Sequence, residues 1–97
     1  MRKIALIIGN TEYQDPKLVK LASPKADVDQ LAAVLKDPDV GAFDEVQELV
    51  DESQGVVSRA IGRFFLQRRA DDLLLLYFSG HGIRDDHGRL YLAVKDT

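Results

Sequence analysis

The chain has no cysteine and no tryptophan, and its 97 residues include only 3 prolines. Without cysteine, a disulfide framework, a thiolate metal site and a cysteine nucleophile are all excluded within these residues. The longest apolar run, Leu73–Phe78, is far too short to cross a bilayer. Basic residues are dispersed and the net charge is −3, so neither nucleic acid nor a membrane is an expected partner.

Length and composition predict one folded domain. Apolar residues make up 45% of the chain and charged residues 30%, which are ordinary values for a globular protein. The N-terminus has the basic start and the apolar stretch of a signal peptide, but Gly9 and Asn10 interrupt that stretch early. A buried strand over Lys3–Ile8 is therefore the better prediction, and the default compartment is cytoplasmic.

Strands and helices alternate along the chain. Continuous apolar runs predict strands covered on both faces, and apolar residues at helical spacing predict helices. The predicted elements are strands at Lys3–Ile8, Phe43–Val50 and Asp72–Phe78, helices over Pro24–Asp37 and from near Asp51 to near Arg69, and a hairpin that turns at Asp86–Gly88. Ser23 is the predicted N-cap of the first helix, and Asp51 with Gln54 predicts a capping box for the second.

This order, β-α-β-α-β plus a hairpin, is typical of an α/β fold with a mostly parallel sheet. Helices on opposite faces place the first strand between the second and the third. The third strand, which is the most apolar, then has an open edge, and such edges recruit other strands. We therefore expect the sheet to continue beyond Thr97 or to be completed by another chain, with a dimer or a strand-swapped oligomer as the state of this chain alone.

His81 follows the third strand within Ser79-Gly80-His81-Gly82. Ligands of open α/β sheets bind at the carboxyl ends of the strands, and glycines on both sides leave an imidazole accessible. Histidine exchanges protons near neutral pH, so this position suits a general base. The alternative is a loop histidine that is simply held by hydrogen bonds.

The segment Leu75–Gly82 resembles the histidine motif of the caspase-like cysteine peptidases (peptidase C14), which include caspases, metacaspases and bacterial relatives. Other segments match in order and spacing: Ala5–Asn10 with Tyr13, Leu21–Asp27 with Leu31 and Leu35, Gly41–Phe43, Asp71–Asp72, Leu90–Ala93 and Asp96–Thr97. The resemblance covers nearly the whole chain and is closer to bacterial members and metacaspases than to animal caspases. It implies a three-layer caspase-like (caspase-hemoglobinase) fold, with residues 1–97 as the N-terminal part of one peptidase domain and no internal boundary.

The resemblance implies a Cys–His dyad, in which the histidine activates a cysteine that attacks a carbonyl of a polypeptide substrate. His81 stands in the place of that histidine, and the Gly82 N–H would contribute to the oxyanion hole. In caspases the cysteine lies about 50 residues after the histidine, which here is beyond Thr97. The chain is therefore expected to be inactive alone and to need the missing C-terminal half of the domain.

Asp27 matches an aspartate that helps to form an acidic S1 pocket in metacaspase-like members, so cleavage after Arg or Lys is expected. No arginine occurs between Lys3 and Gln54, which argues against specificity for aspartate. The alternative for Asp27 is a first-turn aspartate that stabilises the N-terminus of a helix.

Three further residues near the same sheet edge are candidates for the substrate site or its support. Asn10 and Tyr13 either shape the pocket and the histidine loop or form a turn with a packing tyrosine. Ser79 either supports the His81 loop through its hydroxyl or is an ordinary turn serine.

No cofactor is expected. Some metacaspases need calcium, for which Asp37–Asp39 and Asp85–His87 are candidate segments, although neither has the spacing of an EF-hand loop. The main alternative function is a catalytically inactive caspase-like scaffold or interaction module. A receiver-like or small-ligand domain would need acidic residues at the ends of the first and third strands, where Asn10 and Ser79 stand instead.

Overall fold

The computed structural model describes residues 1–97, and the predicted alternation of strands and helices is confirmed. The elements are β1 (Lys3–Gly9), α1 (Ser23–Lys36), β2 (Glu45–Val50), α2 (Gln54–Phe64), β3 (Leu73–Ser79), β4 (Gly82–Arg84) and β5 (Leu90–Leu92). β1, β2 and β3 form a parallel sheet in the order β2-β1-β3, and β4 pairs with β5 in a separate antiparallel sheet. Neither helix has the length and apolarity that crossing a membrane requires.

β1 is the strand on which the domain is built, because it is buried on both faces and paired on both sides. Its residues Ile4–Ile8 are at most 3% exposed. Ile4 lies opposite Glu45 of β2 and Leu74 of β3, and this register continues to Gly9. A strand in this position is expected to be a continuous apolar run, because neither of its faces contacts water.

The two helices cover opposite faces of this sheet, as the predicted topology requires. Every second residue of β1 faces one helix, and the residues between them face the other. The α2 face holds Ile4, Leu6, Ile8, Val57, Ala60, Phe64 and Val94. The α1 face holds Ala5, Ile7, Val28, Ala32 and Leu35. Gly9 lets α1 approach closely, because a Cβ there would lie 2.7 Å from Cγ2 of Val28.

Both predicted helix caps are wrong. α1 begins at Ser23 itself, because Ala22 already has helical backbone angles (φ −87°, ψ −35°) and occupies the N-cap without a side-chain hydrogen bond. α2 is capped by Ser53, whose Oγ accepts from the Val56 N–H at 3.3 Å. Asp51 does not cap this helix, because its carboxylate binds another loop.

The end predicted for the second helix is also too late. α2 ends at Phe64 rather than near Arg69, and Gln67 has a left-handed backbone (φ 55°) that a helix cannot continue through. Arg68 still serves the helix terminus, because its Nε donates to the Phe64 carbonyl at 2.7 Å. A basic side chain just past the last turn therefore stabilises this end.

The edge of β3 that faces away from β1 is open. The Leu73 N–H donates to Arg2 and the Ser79 carbonyl accepts from Asn10, so the odd-numbered residues of β3 face β1. Alternate residues of a parallel strand point to opposite sides, so the N–H and C=O groups of Leu74, Leu76 and Phe78 face the open edge. The β4–β5 hairpin does not pair with this edge, although its side chains lie near it.

We predict that the isolated chain self-associates through this edge, because a second copy is the only strand available to it in a pure solution. Light scattering should give a mass that rises above 10.8 kDa with concentration. Leu76→Lys places a charge on the edge and should keep the chain monomeric. The matched control is Val34→Lys on α1, where the native side chain is similarly exposed, and it should still associate.

Amide hydrogen exchange separates the edge from the paired side of β3. Protection of the Leu74, Leu76 and Phe78 amides should rise with concentration, while the Leu75 and Tyr77 amides stay protected throughout. A chain that remains monomeric while all five amides are protected would contradict the prediction. That result would mean that the hairpin closes the sheet.

Candidate active site

The candidate site lies where β1 and β3 end, at the carboxyl edge of the parallel sheet. The Asn10 N–H donates to the Ser79 carbonyl at 2.9 Å, which continues the β1–β3 ladder one residue past the end of β1. The chain leaves β1 into the loop at residues 10–22 and leaves β3 into the short loop that contains His81. These two loops therefore start side by side, at the edge where α/β sheets bind ligands.

The imidazole of His81 is held by the loop that follows β1. Its Nε2 lies 2.9 Å from the Val19 carbonyl oxygen. A carbonyl can only accept, so Nε2 carries the hydrogen and Nδ1 of the neutral ring has the lone pair. Nδ1 makes no hydrogen bond within the chain, and the residue is partly exposed. The ring is thus oriented through one nitrogen while the basic nitrogen is left available.

The backbone of His81 is bound on both sides. Its N–H donates to Oη of Tyr13 at 2.8 Å, and its carbonyl accepts from the Ala93 N–H at 2.9 Å. The Tyr13 hydroxyl in turn donates to the Asn10 carbonyl at 3.2 Å. The centroids of the tyrosine and imidazole rings are 4.9 Å apart, with the rings tilted by 58°.

Gly82 is the first residue of β4, and its backbone N–H points away from the partner strand β5. Gly82 lies opposite Leu92, while the neighbouring His81 carbonyl is bonded to Ala93. Bonded and non-bonded positions alternate in an antiparallel pair, so the Gly82 N–H does not face β5. The residue is exposed, so this N–H is accessible to a ligand at the edge.

Asp27 and Ser79 are in direct contact. The Ser79 hydroxyl donates to Oδ2 of Asp27 at 3.0 Å, which joins the end of β3 to α1. Asp27 lies in the second turn of α1, and the first turn contains no acidic residue, so the first-turn alternative is wrong. The helix predicted from the sequence begins one residue late, at Pro24, which places Asp27 one residue closer to its N-terminus. No lysine or arginine pairs with Asp27, and its Oδ1 makes no hydrogen bond within the chain.

The caspase domain (peptidase C14) family model matches residues 2–97, which is nearly the whole chain. The chain belongs to this family. It is a family of cysteine peptidases, and the α/β fold with its parallel sheet and antiparallel pair agrees with a partial caspase-like fold. No curated protein matches the chain significantly.

Within this caspase domain, Asn10 supports the loop from inside. The residue is 1% exposed, and its Nδ2 donates to the Glu12 carbonyl at 2.8 Å. This contact agrees with a loop-shaping role for Asn10, and a direct contact with substrate stays a prediction.

Asp51 is the residue of the site region that the sequence analysis missed. Its Oδ1 accepts from the backbone N–H groups of Thr11 and Glu12 at 2.7 and 3.0 Å, and its Oδ2 accepts from the Thr11 hydroxyl at 2.6 Å. Burial alone would raise the pKa of Asp51, but these hydrogen bonds and the charge of Lys95 hold the pKa below its ordinary value. The ionised carboxylate therefore anchors the β1–α1 loop that carries Tyr13.

One signal in the sequence could have indicated this role for Asp51. It directly follows β2, so parallel pairing brings it to the same edge as the ends of β1 and β3. Its backbone φ of 55° is left-handed, a conformation in which a short polar side chain such as aspartate is among the few that are tolerated.

The candidate calcium segments do not form a ligand set. The caspase domain brings no three His, Cys, Asp or Glu side chains into a metal-binding group. Asp85 instead organises the hairpin turn, where it accepts from the His87 and Arg89 N–H groups and from the Arg89 side chain. Oδ1 of Asp37 accepts from the Asp39 N–H at 2.8 Å. Calcium binding stays an expectation of the resemblance alone.

Gly80 lies where the β1–α1 loop and the His81 loop pack against each other, so a substitution there measures how tight that packing is. A Cβ at this position would lie 2.8 Å from Oη of Tyr13 and 3.2 Å from the Phe78 ring. We predict that Gly80→Ala destabilises the domain by about 1–3 kcal/mol, because the tyrosine must move and release His81. The control is Gly62→Ala in α2, where a Cβ meets nothing within 4 Å. It should stabilise the domain by about 0.5–1 kcal/mol.

Thermal or denaturant unfolding monitored by circular dichroism measures both substitutions. If Gly80→Ala proves as stable as the native chain, the close packing of Tyr13 against the His81 loop is wrong.

Proposed function

We propose that this caspase domain supplies the general acid–base half of a cysteine peptidase site that cleaves polypeptides after Arg or Lys. The thiol comes from outside these 97 residues, because the chain has no cysteine. The observation that carries the proposal is the His81 imidazole, which is oriented through Nε2 by the Val19 carbonyl while Nδ1 is left available.

The chemistry follows from that arrangement. Nδ1 of His81 takes the proton of the thiol, and the thiolate attacks the scissile carbonyl carbon to form a tetrahedral intermediate. The Gly82 N–H donates to the oxyanion that develops on the carbonyl oxygen. The imidazolium then protonates the leaving amine, and water releases the acyl group. Throughout these steps Nε2 keeps its hydrogen on the Val19 carbonyl, so the ring keeps its orientation.

Specificity for a basic side chain is supported by the surroundings of Asp27. Its Oδ2 is oriented by Ser79, while Oδ1 has no partner and no cation of the chain neutralises the carboxylate. A partly buried carboxylate without a counter-charge attracts an arginine or lysine side chain and can accept hydrogen bonds from it. In this proposal Ser79 positions Asp27 and does not contact the substrate itself.

A scaffold or interaction module is the second candidate function. One observation favours it, namely the open apolar edge of β3. The two functions differ in what they need from the rest of the assembly. A peptidase needs a cysteine next to His81, whereas a scaffold needs only the edge.

Our first prediction here is that the 97-residue chain alone hydrolyses no fluorogenic Arg or Lys peptide, because no nucleophilic thiol is present. The control is His81→Ala. Turnover that persists in this variant would come from a contaminant. Turnover that this variant abolishes would contradict the proposal, because the chain would then need no cysteine.

Our second prediction concerns specificity once the chain is combined with a cysteine-bearing segment that restores activity. Asp27→Asn should lower kcat/KM for Arg and Lys substrates by roughly 30- to 150-fold, equivalent to about 2–3 kcal/mol, because a charge-assisted contact is lost. The matched control is Asp29→Asn on the same helix. Asp29 is exposed and pairs with Lys25, so this variant should retain native specificity.

Thermal unfolding of both variants separates specificity from stability. Equal losses of kcat/KM in the two variants, or a loss of stability in Asp27→Asn without a change in specificity, would contradict the S1 assignment.

A further inference from the structure

The Tyr13 hydroxyl is the only side-chain group that binds the backbone at His81. It accepts the His81 N–H at 2.8 Å and passes its own hydrogen to the Asn10 carbonyl at 3.2 Å. The residues on either side of His81 are glycines, which have no side chain to hold their own backbone. The conformation of this short segment therefore depends on two hydrogen bonds, from the His81 N–H to the Tyr13 hydroxyl and from the Ala93 N–H to the His81 carbonyl.

The tyrosine ring and the hydroxyl act on different parts of His81. The ring lies 4.9 Å from the imidazole and packs against it, whereas the hydroxyl binds the main chain. A phenylalanine would preserve the first contact and lose the second. It would also leave a partly buried N–H without an acceptor.

We propose that Tyr13 is a positioning residue for His81, and that its hydroxyl, rather than its ring, holds the imidazole in reach of the Val19 carbonyl. This inference rests on the proposed role of His81. Its physical basis is that the Cα of His81 fixes where the imidazole begins, so a shift of the backbone breaks the 2.9 Å contact of Nε2. The tyrosine thus links Asn10, at the end of β1, to the backbone of His81, and so fixes where the proposed base lies relative to that strand.

The test is Tyr13→Phe in the isolated chain, below the concentration at which it associates. Amide exchange at His81 should become about tenfold faster, because one hydrogen bond is lost. Three-bond couplings in the His81 side chain should change from those of one rotamer to those of an average. A tyrosine that only packs would move neither quantity, because the ring is retained.

The matched control is Tyr77→Phe. Tyr77 lies on β3, packs against the α1 face of the sheet and makes no hydrogen bond through its hydroxyl. Its substitution should leave both His81 measurements unchanged. The Asn10 amide, which is bonded to the Ser79 carbonyl, reports on the fold and should stay protected in both variants.

Two results would overturn the inference. One is native exchange and a single rotamer at His81 in Tyr13→Phe. The other is an equal loss of protection at Asn10, which would mean that the hydroxyl supports the sheet edge as a whole. Neither measurement uses peptidase activity, so failure of the positioning role is distinguished from failure of the proposed function.

Discussion

The hydrogen bond from the Asn10 N–H to the Ser79 carbonyl holds together the two strand ends from which the site is built. It fixes where the loop at residues 10–22 starts relative to the His81 loop. Tyr13 can then reach the backbone of His81, and the Val19 carbonyl can reach the imidazole. These contacts depend on the β1–β3 register, in which Ile8 lies opposite Phe78 and Gly9 opposite Ser79.

The parts of the structure that depend on apolar pattern were predictable, and those that depend on loops were not. β1 is buried on both faces, so it can be recognised in the sequence as a continuous apolar run. The histidine between two glycines after an apolar strand likewise indicates the candidate site. The contact between His81 and Val19 joins residues far apart in sequence through a loop that has no periodicity. Asp51 was misread for a related reason. A carboxylate before a helix suits a cap, but Ser53 caps α2 and Asp51 bonds across the sheet edge.

In the proposed function, the two connections at this edge serve different steps of peptide cleavage. One runs from β1 through the Tyr13 hydroxyl to His81 and orients the base. The other runs from the end of β3 through the Ser79 hydroxyl to Asp27 and orients a carboxylate for a basic side chain. Both start from strand ends that the hydrogen bond from Asn10 to Ser79 joins, so His81 and Asp27 are positioned by the same sheet edge. In the proposed function, this geometry holds the base and the carboxylate in place before a thiol is added.

The tautomer of the His81 imidazole is the quantity that tests this account most directly. Nitrogen chemical shifts of the neutral ring, measured by NMR on the isolated chain with His87 in the exposed hairpin turn as internal reference, report which nitrogen carries the hydrogen. We predict a hydrogen on Nε2, a hydrogen bond from that nitrogen to the Val19 carbonyl, and an unprotonated Nδ1. A hydrogen on Nδ1, or a ring that averages between tautomers as freely as that of His87, would contradict it.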